Sequence, residues 1–196
     1  MVAGAEKLSA PLVVVFSGPP ATGKSTLADT IGRELPAPVI AWDWLVAGLT
    51  PFADVQRVLE EMERDTYRDV GYSLMSQLVE KQLRNEQPVI LDCVVRARAL
   101  DRWSEIAAVH GAPIRVIECV CSDIEIHESR VVGRVRAIPG WNELDWKFVK
   151  ISRSTYEPLA VDKIVVDAVD PLAVNLARVR RYLGLGKDGE DPREER

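Results

Sequence analysis

The stretch that decides the fold is Gly18-Pro-Pro-Ala-Thr-Gly-Lys-Ser25, which matches the pattern G-x-x-x-x-G-K-[ST] at every position. An apolar run at 11–17 that is rich in β-branched residues precedes it and predicts a buried parallel strand. After it, residues 24–35 have the apolar spacing of a helix, which Pro36 ends. The pattern binds phosphate when it stands in this context, between a strand and a helix.

The residue types of this loop predict that it binds ATP or another nucleoside triphosphate. Its glycines let backbone N–H groups point at phosphate oxygens, and the following helix adds the positive end of its dipole. We expect Lys24 to reach the β- and γ-phosphates, Ser25 to offer its hydroxyl to Mg²⁺, and Thr26 to contact the α-phosphate. The predicted nucleotide-binding residues of the loop are Gly18, Pro19, Pro20, Ala21, Thr22, Gly23, Lys24, Ser25 and Thr26. The alternative, a glycine-rich turn without a ligand, explains an eight-residue match in the right context less well.

Strands and helices alternate along the rest of the chain. Further strands are predicted at 39–42, 88–92, 113–121 and 162–167. One or two long helices are predicted over 54–86, and single helices at 97–110, 123–136, 143–154 and 171–183. Five strands that alternate with helices predict an α/β fold: a five-stranded parallel sheet with helices on both faces. Ligands bind at the carboxyl ends of such strands, so residues that follow the strands should gather there.

Length and composition limit the classes of protein that the chain can belong to. It has 196 residues, 47% of them hydrophobic, and a formal net charge of −5. We expect one domain over residues 1–185 and a disordered polar tail at 186–196. The acidity weighs against nucleic acid as a partner. An odd number of cysteines, and no segment typical of a signal peptide or membrane span, favour a cytoplasmic protein. The oligomeric state is left open.

Two acids follow predicted strands. Asp92 ends an apolar strand and is expected to hold Mg²⁺, directly or through a water; a turn or cap is the alternative. Asp43 follows the second strand, and phosphoryl transfer needs a carboxylate there that orients a hydroxyl and accepts its proton. We therefore expect Asp43 to be the general base, although it could also cap a short helix that starts at Trp44.

Other side chains near the strand ends are candidates for ligand contacts. Trp42 and Trp44 flank Asp43, so one could contact an acceptor while the other packs in the core. Arg96 could reach the acceptor or only start the next helix, and Asp167, after the fifth strand, could border the nucleotide base.

The segment 130–153 carries six cations and two acids. Arg130 and Arg134 would share one face of the helix predicted at 123–136. With glycines as bending points, this pattern predicts a helical lid over about 123–153 that closes on the triphosphate. A solvated amphipathic helix is the alternative.

Taken together, these residues resemble the small P-loop kinases, which belong to the AAA-like P-loop NTPases. This group includes chloramphenicol phosphotransferase, gluconate kinase, zeta-type toxins and the kinase domain of polynucleotide kinase. The resemblance extends over about residues 11–184 and depends on Gly18–Ser25, Trp42-Asp43, Val89–Asp92, Arg130–Arg134 and Val165–Asp167.

The resemblance implies Mg²⁺-assisted transfer of the γ-phosphate of ATP to a hydroxyl of a small molecule, such as an antibiotic, a nucleoside or a sugar. Lys24 would clamp the phosphates, Asp43 would be the base, and Arg130 and Arg134 would be lid arginines. Polynucleotide kinases have an arginine three residues after the acid, where this chain has Val46, and this difference favours a neutral acceptor. The alternatives are a polynucleotide 5′-hydroxyl kinase and a regulatory ATPase without an acceptor.

Overall fold

The computed structural model describes residues 11–185, so the tail predicted at 186–196 lies outside the described residues. The five strands form one parallel sheet in the order β2-β3-β1-β4-β5. Their bounds are Val13–Ser17 (β1), Val39–Ala41 (β2), Val89–Asp92 (β3), Ile114–Val120 (β4) and Ile164–Asp167 (β5). β1 is central, and all five of its residues are buried. The predicted five-stranded parallel sheet is confirmed.

The helices cover both faces of the sheet, as predicted. They are Lys24–Glu34 (α1), Trp42–Ala47 (α2), Ala53–Glu61 (α3), Arg64–Arg84 (α4), Ala97–Val109 (α5), Ile124–Ser129 (α6), Trp146–Ser154 (α7) and Leu172–Leu183 (α8). Because side chains alternate along a strand, Val14 and Phe16 share one apolar core with α1 and α8. Val13 and Val15 share the other core with α2, α4 and α5.

Two predicted boundaries next to the candidate site are wrong. β2 ends at Ala41 and α2 begins at Trp42, so Asp43 belongs to the first turn of a helix, where the helix dipole favours an acid. The helix predicted over 123–136 ends at Ser129. The helix does not continue because two β-branched valines follow, and then Gly133 adopts a left-handed φ of 73°.

The carboxyl ends of the parallel strands place the loop 18–23 in the middle of one edge of the sheet. Since β1 lies between β3 and β4, Asp92 and the end of β4 flank this loop. Within residues 11–185, no helix is both long and apolar enough to cross a membrane.

Candidate active site

The loop between β1 and α1 depends on two glycines. Gly18 has a φ of 136°, and a Cβ there would lie 1.9 Å from the carbonyl oxygen of Cys119 on β4. Any side chain would therefore push the loop away from the sheet. Gly23 adopts a left-handed φ of 86° and is the N-cap of α1, so Lys24 and Ser25 open the helix and Thr26 lies exposed in its first turn. This local structure is the one that the sequence predicted for the loop.

Lys24 is buried within the loop that it follows. Its side chain is only 7% exposed, and its Nζ donates to the carbonyl oxygen of Pro19 at 2.7 Å. The hydroxyl of Thr22 donates to the same oxygen at 2.8 Å. Burial lowers the pKa of the Lys24 amine below its usual value, while the nearby Asp92 carboxylate opposes that shift. The ammonium is thus held at the loop by a carbonyl oxygen, with the Asp92 carboxylate as a nearby opposite charge.

Asp92 ends β3 next to Lys24 and is 5% exposed. Burial raises the pKa of its carboxyl, and Lys24 and the Ser25 hydroxyl lower it. Hydroxyl and carboxylate oxygens are hard ligands that suit Mg²⁺. This ion keeps several of its waters and binds only a few protein groups. Among the described residues no cluster of three or more metal-ligating side chains is present, and a two-residue site shared with phosphates needs none. Ser25 and Asp92 therefore fit the ion that the sequence predicted for them.

Asp43 lies at the same cavity, in an ion pair that the sequence did not predict. Its Oδ2 accepts from the guanidinium of Arg136, whose side chain is 14% exposed. The carboxylate of Glu143 holds the turn behind Arg136, because its Oε1 accepts from the backbone N–H of Arg136 at 2.6 Å and from that of Ala137. Within residues 11–185, Oδ1 of Asp43 has no hydrogen-bond partner, which leaves one oxygen available to a ligand.

The cavity joins the phosphate-binding loop to the region around Asp43. It has a volume of about 200 Å³, and Lys24, Ser25 and Asp92 line one end. Asp43, Trp42 and Arg136 also line it. The predicted phosphate clamp, metal ligands and base therefore border a single space.

Arg130 and Arg134 do not share a helix face, because α6 ends before them. Arg134 lines the cavity, and its charge acts on the pKa values of both Lys24 and Asp92. Arg130 instead donates to the carbonyl oxygen of Ala168, beyond the end of β5, at 2.5 Å. The two arginines thus lie at different places around the loop.

The remaining predicted ligand contacts are divided between the cavity and other roles. Trp42 is 9% exposed and lines the cavity, whereas Trp44 is 54% exposed and lies beside a neighbouring depression. Arg96 donates to the backbone of Thr155 and does not line the cavity described here. Asp167 accepts from the backbone N–H groups of Ser122 and Val169, which connects the loops after β4 and β5.

His127 is a second residue that the sequence did not place at the site. It is fully buried on α6, and its Nε2 lies 2.7 Å from the carbonyl oxygen of Pro20. A carbonyl only accepts, so Nε2 carries the hydrogen and the neutral Nδ1 accepts from Arg153 at 3.0 Å. Burial lowers the pKa of this imidazole. His127 therefore supports the phosphate-binding loop from the segment predicted to be the lid.

The cavity wall also includes side chains of α4 that sequence reasoning did not single out. Arg64, Tyr67, Arg68 and Tyr72 repeat at intervals of three, one and four residues, which places them on one face of the helix. Further along the same face come Met75 and Val79, which are fully buried. In the sequence, the change from Arg and Tyr to Met and Val along one face of the helix could have indicated that the first part of this face lines a cavity and the second part packs in the core.

A family model described as an AAA domain matches residues 13–158, about three quarters of the chain. The chain belongs to this family. The predicted resemblance to small P-loop kinases is confirmed, because solved kinase structures share the fold. No curated protein sequence matches the chain with significance.

Three solved structures illustrate the shared fold of this AAA-domain protein. A sugar kinase from Janibacter sp. HTCC2649 is 15% identical, with a TM-score of 0.66, over 90% of this chain and 96% of that one. A gluconokinase from Sinorhizobium meliloti 1021 is 19% identical, with a TM-score of 0.62, over 89% and 97%. The APS kinase of Mycobacterium tuberculosis, solved with AMPPNP and APS, is 15% identical, with a TM-score of 0.63, over 89% and 98%.

Proposed function

We propose that the protein is an ATP-dependent kinase that transfers the γ-phosphate to a hydroxyl of a small molecule, with Asp43 as general base. One observation carries the proposal: Lys24 and Asp92 at the phosphate-binding loop line the same cavity as Asp43. A donor phosphate and an acceptor hydroxyl can thus meet in one space of limited size. The sugar kinase and gluconokinase that share the fold support a small acceptor.

At the phosphate end, this chain supplies the groups that bind and orient the nucleotide. The backbone N–H groups of residues 18–25 and the Lys24 ammonium would bind the phosphates, and Thr26 would contact the α-phosphate. Ser25 and Asp92 would hold Mg²⁺, which when bound neutralises charge on the phosphate oxygens. Arg130 and Asp167 would border the purine ring of the nucleotide, since both contact the segment after β5.

At the acceptor end, Asp43 would orient the hydroxyl and take its proton. The hydroxyl oxygen forms a bond to the γ-phosphorus, the bond from that phosphorus to the β–γ bridging oxygen breaks, and ADP leaves. The released proton goes to Asp43, whose Oδ1 has no partner among residues 11–185, while Arg136 keeps Oδ2 oriented. Trp42 would pack against the acceptor as part of the cavity wall, whereas Trp44 and Arg96 lie outside this wall.

We further propose that residues 123–153 act as a lid within one domain. The segment already contacts the rest of the protein: the Thr50 hydroxyl donates to the carbonyl oxygen of Gly140 at 3.3 Å, and Trp141 packs edge-on against Trp42 at 5.8 Å. Arg134 in this segment would stabilise negative charge on the transferred group.

The test combines an acceptor screen with three matched variants. The protein is incubated with MgATP and a panel of antibiotics, nucleosides, sugars and sugar acids, and ADP release and product mass are measured. With the best acceptor, Asp43→Asn should lower kcat by about a hundredfold or more, because the amide cannot accept the proton. Arg136→Gln breaks the same ion pair but keeps the base, so its loss should be clearly smaller.

Asp54→Asn is the control, because it makes the same chemical change at a carboxylate that is 98% exposed on α3. The proposal fails if Asp43→Asn keeps kcat within about threefold of the wild type, or if Arg136→Gln loses as much. Slow ATP hydrolysis that no small molecule changes would instead indicate a regulatory ATPase.

A further inference from the structure

The acceptor end of the cavity has an excess of positive charge that the reaction does not require. Of the residues in 11–185 that line the cavity, five are cations and two are acids. Lys24 and Arg134 lie with Asp92 at the phosphate end, and Arg136 is paired with Asp43. The two remaining cations, Arg64 and Arg68, come from the first turns of α4.

These two arginines differ in their partners. Arg68 pairs with the carboxylate of Asp65 at 2.8 Å. Arg64 has no ion pair and no hydrogen bond within residues 11–185; its guanidinium carbon lies 5.9 Å from the centre of the Phe148 ring. Arg64 is an exposed residue. Partial desolvation and the neighbouring charges of Arg68 and Arg96 lower its pKa, and Asp65 opposes that shift only in part.

Aromatic side chains form part of the wall of the cavity that Arg64 and Asp43 line. Trp42 packs edge-on against Tyr67 at 5.2 Å, and the Tyr72 hydroxyl is already used by the carbonyl oxygen of Val94 at 2.6 Å. Such walls offer ring contacts and few hydrogen bonds to a ligand body. The cavity of about 200 Å³ includes the phosphate end, so it limits the acceptor to a small molecule such as one substituted ring; a cavity of roughly 150 Å³ already holds benzene.

Resting on the proposed kinase function, we propose that the acceptor is a small alcohol with a planar ring that carries an anionic group, and that Arg64 binds this group. A guanidinium suits a carboxylate or phosphate because it can donate two parallel hydrogen bonds. The expectation of a neutral acceptor came from Val46 on α2, whereas the cations come from α4. With its anionic group on Arg64, such an acceptor would place its ring against the aromatic walls and direct its hydroxyl toward Asp43.

The experiment compares alcohols in pairs that differ only in charge. The probes are the para- and meta-isomers of hydroxymethylbenzoate and the corresponding hydroxymethylbenzamides, with a single-stranded 5′-hydroxyl oligonucleotide as a further arm. Binding is measured by saturation-transfer NMR and titration calorimetry without ATP, and phosphorylation is measured with MgATP. We expect at least one benzoate to bind about tenfold more tightly than its amide, with the gap shrinking in high salt.

Arg64→Gln should remove this gap and leave binding of the amide unchanged. The variant should fold, because a cation in the first turn of a helix is electrostatically unfavourable, and urea unfolding will verify that. Arg57→Gln, on the exposed face of α3 with a side chain 63% exposed, is the matched control and should keep the gap.

Three results would overturn the inference: equal or tighter binding of the amides, no binding of either benzoate, or a gap that survives Arg64→Gln. Phosphorylation of the oligonucleotide in preference to both benzoates would also overturn it, in favour of a polymeric acceptor. A charge-dependent gap with no phosphoryl transfer to these probes or to any member of the acceptor panel would refute the kinase function and leave the anion site standing, so the two failures are distinguishable.

Discussion

Replacing Lys24 with methionine tests how the buried charges beneath the phosphate-binding loop depend on one another. Methionine has a similar length and removes only the ammonium. Asp92, which is 5% exposed, then loses the largest of the interactions that lower its carboxyl pKa, while the burial that raises this pKa remains. The folded-state pKa of Asp92 should therefore rise further above its ordinary value of 3.8.

The cost to stability follows from that shift. A carboxyl that stays protonated at pH 7 in the folded protein, but ionises near pH 3.8 when unfolded, costs roughly 4 kcal/mol at about 1.4 kcal/mol per pH unit. This value is an upper bound, because burial already raises the Asp92 pKa when Lys24 is present. Because the folded pKa lies above the unfolded one, the loss is absent below about pH 4 and grows as the pH rises toward the folded pKa.

The assay is urea unfolding at a series of pH values between about 5 and 8. Lys24→Met should lose stability relative to wild type as the pH rises, with the unfolding midpoint falling at each step. In the double variant Lys24→Met/Asp92→Asn the amide does not titrate, so this added slope should disappear. Parallel pH profiles for wild type and Lys24→Met, or a slope that persists in the double variant, would refute the coupling between the two groups.

Three further perturbations test the supports of the site. The fold requires a neutral His127, whose pKa is lowered, so the wild type should lose stability as the pH falls below about 6.5. His127→Gln has no imidazole to protonate and should lose less over the same range. Urea midpoints that change with pH in the same way for both proteins would contradict this. Gly71→Ala should lower the free energy of unfolding by about 2 kcal/mol, because its Cβ would lie 2.0 Å from Nε1 of Trp42; Gly48→Ala, with its nearest atom at 3.3 Å, is the control and should cost clearly less. Tyr156→Phe removes a hydroxyl that donates to the buried Glu118 at 2.7 Å and should cost about 1–3 kcal/mol by thermal unfolding; an unchanged Tm would contradict the role of that hydrogen bond.

The parts of the fold that sequence predicted well are those encoded locally. The loop and the buried strands β1 and β3 have patterns in which every residue type follows from a local requirement, such as the left-handed φ at Gly23. The start of α2 was misplaced because a six-residue helix has too few turns to show a period. Asp43 was still placed at the right edge of the sheet, since that depends on the end of β2 and not on the type of the next element.

The contacts that sequence reasoning missed join distant parts of the chain. Arg136 reaches Asp43 across 93 positions of the chain, and His127 reaches Pro20 across 107. Arg64 lies on a helix whose stripe is shared between the cavity and the core, so periodicity alone could not separate the two uses. Such contacts become visible only once the packing of α4, α6 and α7 around the loop is known.

The short segment from Arg134 to Arg136 connects the two ends of the cavity. Arg134 lines the phosphate end, and Arg136, two residues later, pairs with Asp43. Glu143 fixes the turn between them and α7, and Gly140 contacts Thr50 near the end of α2. If this segment moved away, Arg134 would leave the phosphates at the same moment as Arg136 left the carboxylate. Such coupling would orient the base for proton transfer only while the segment covers the cavity, which would limit wasteful transfer to water.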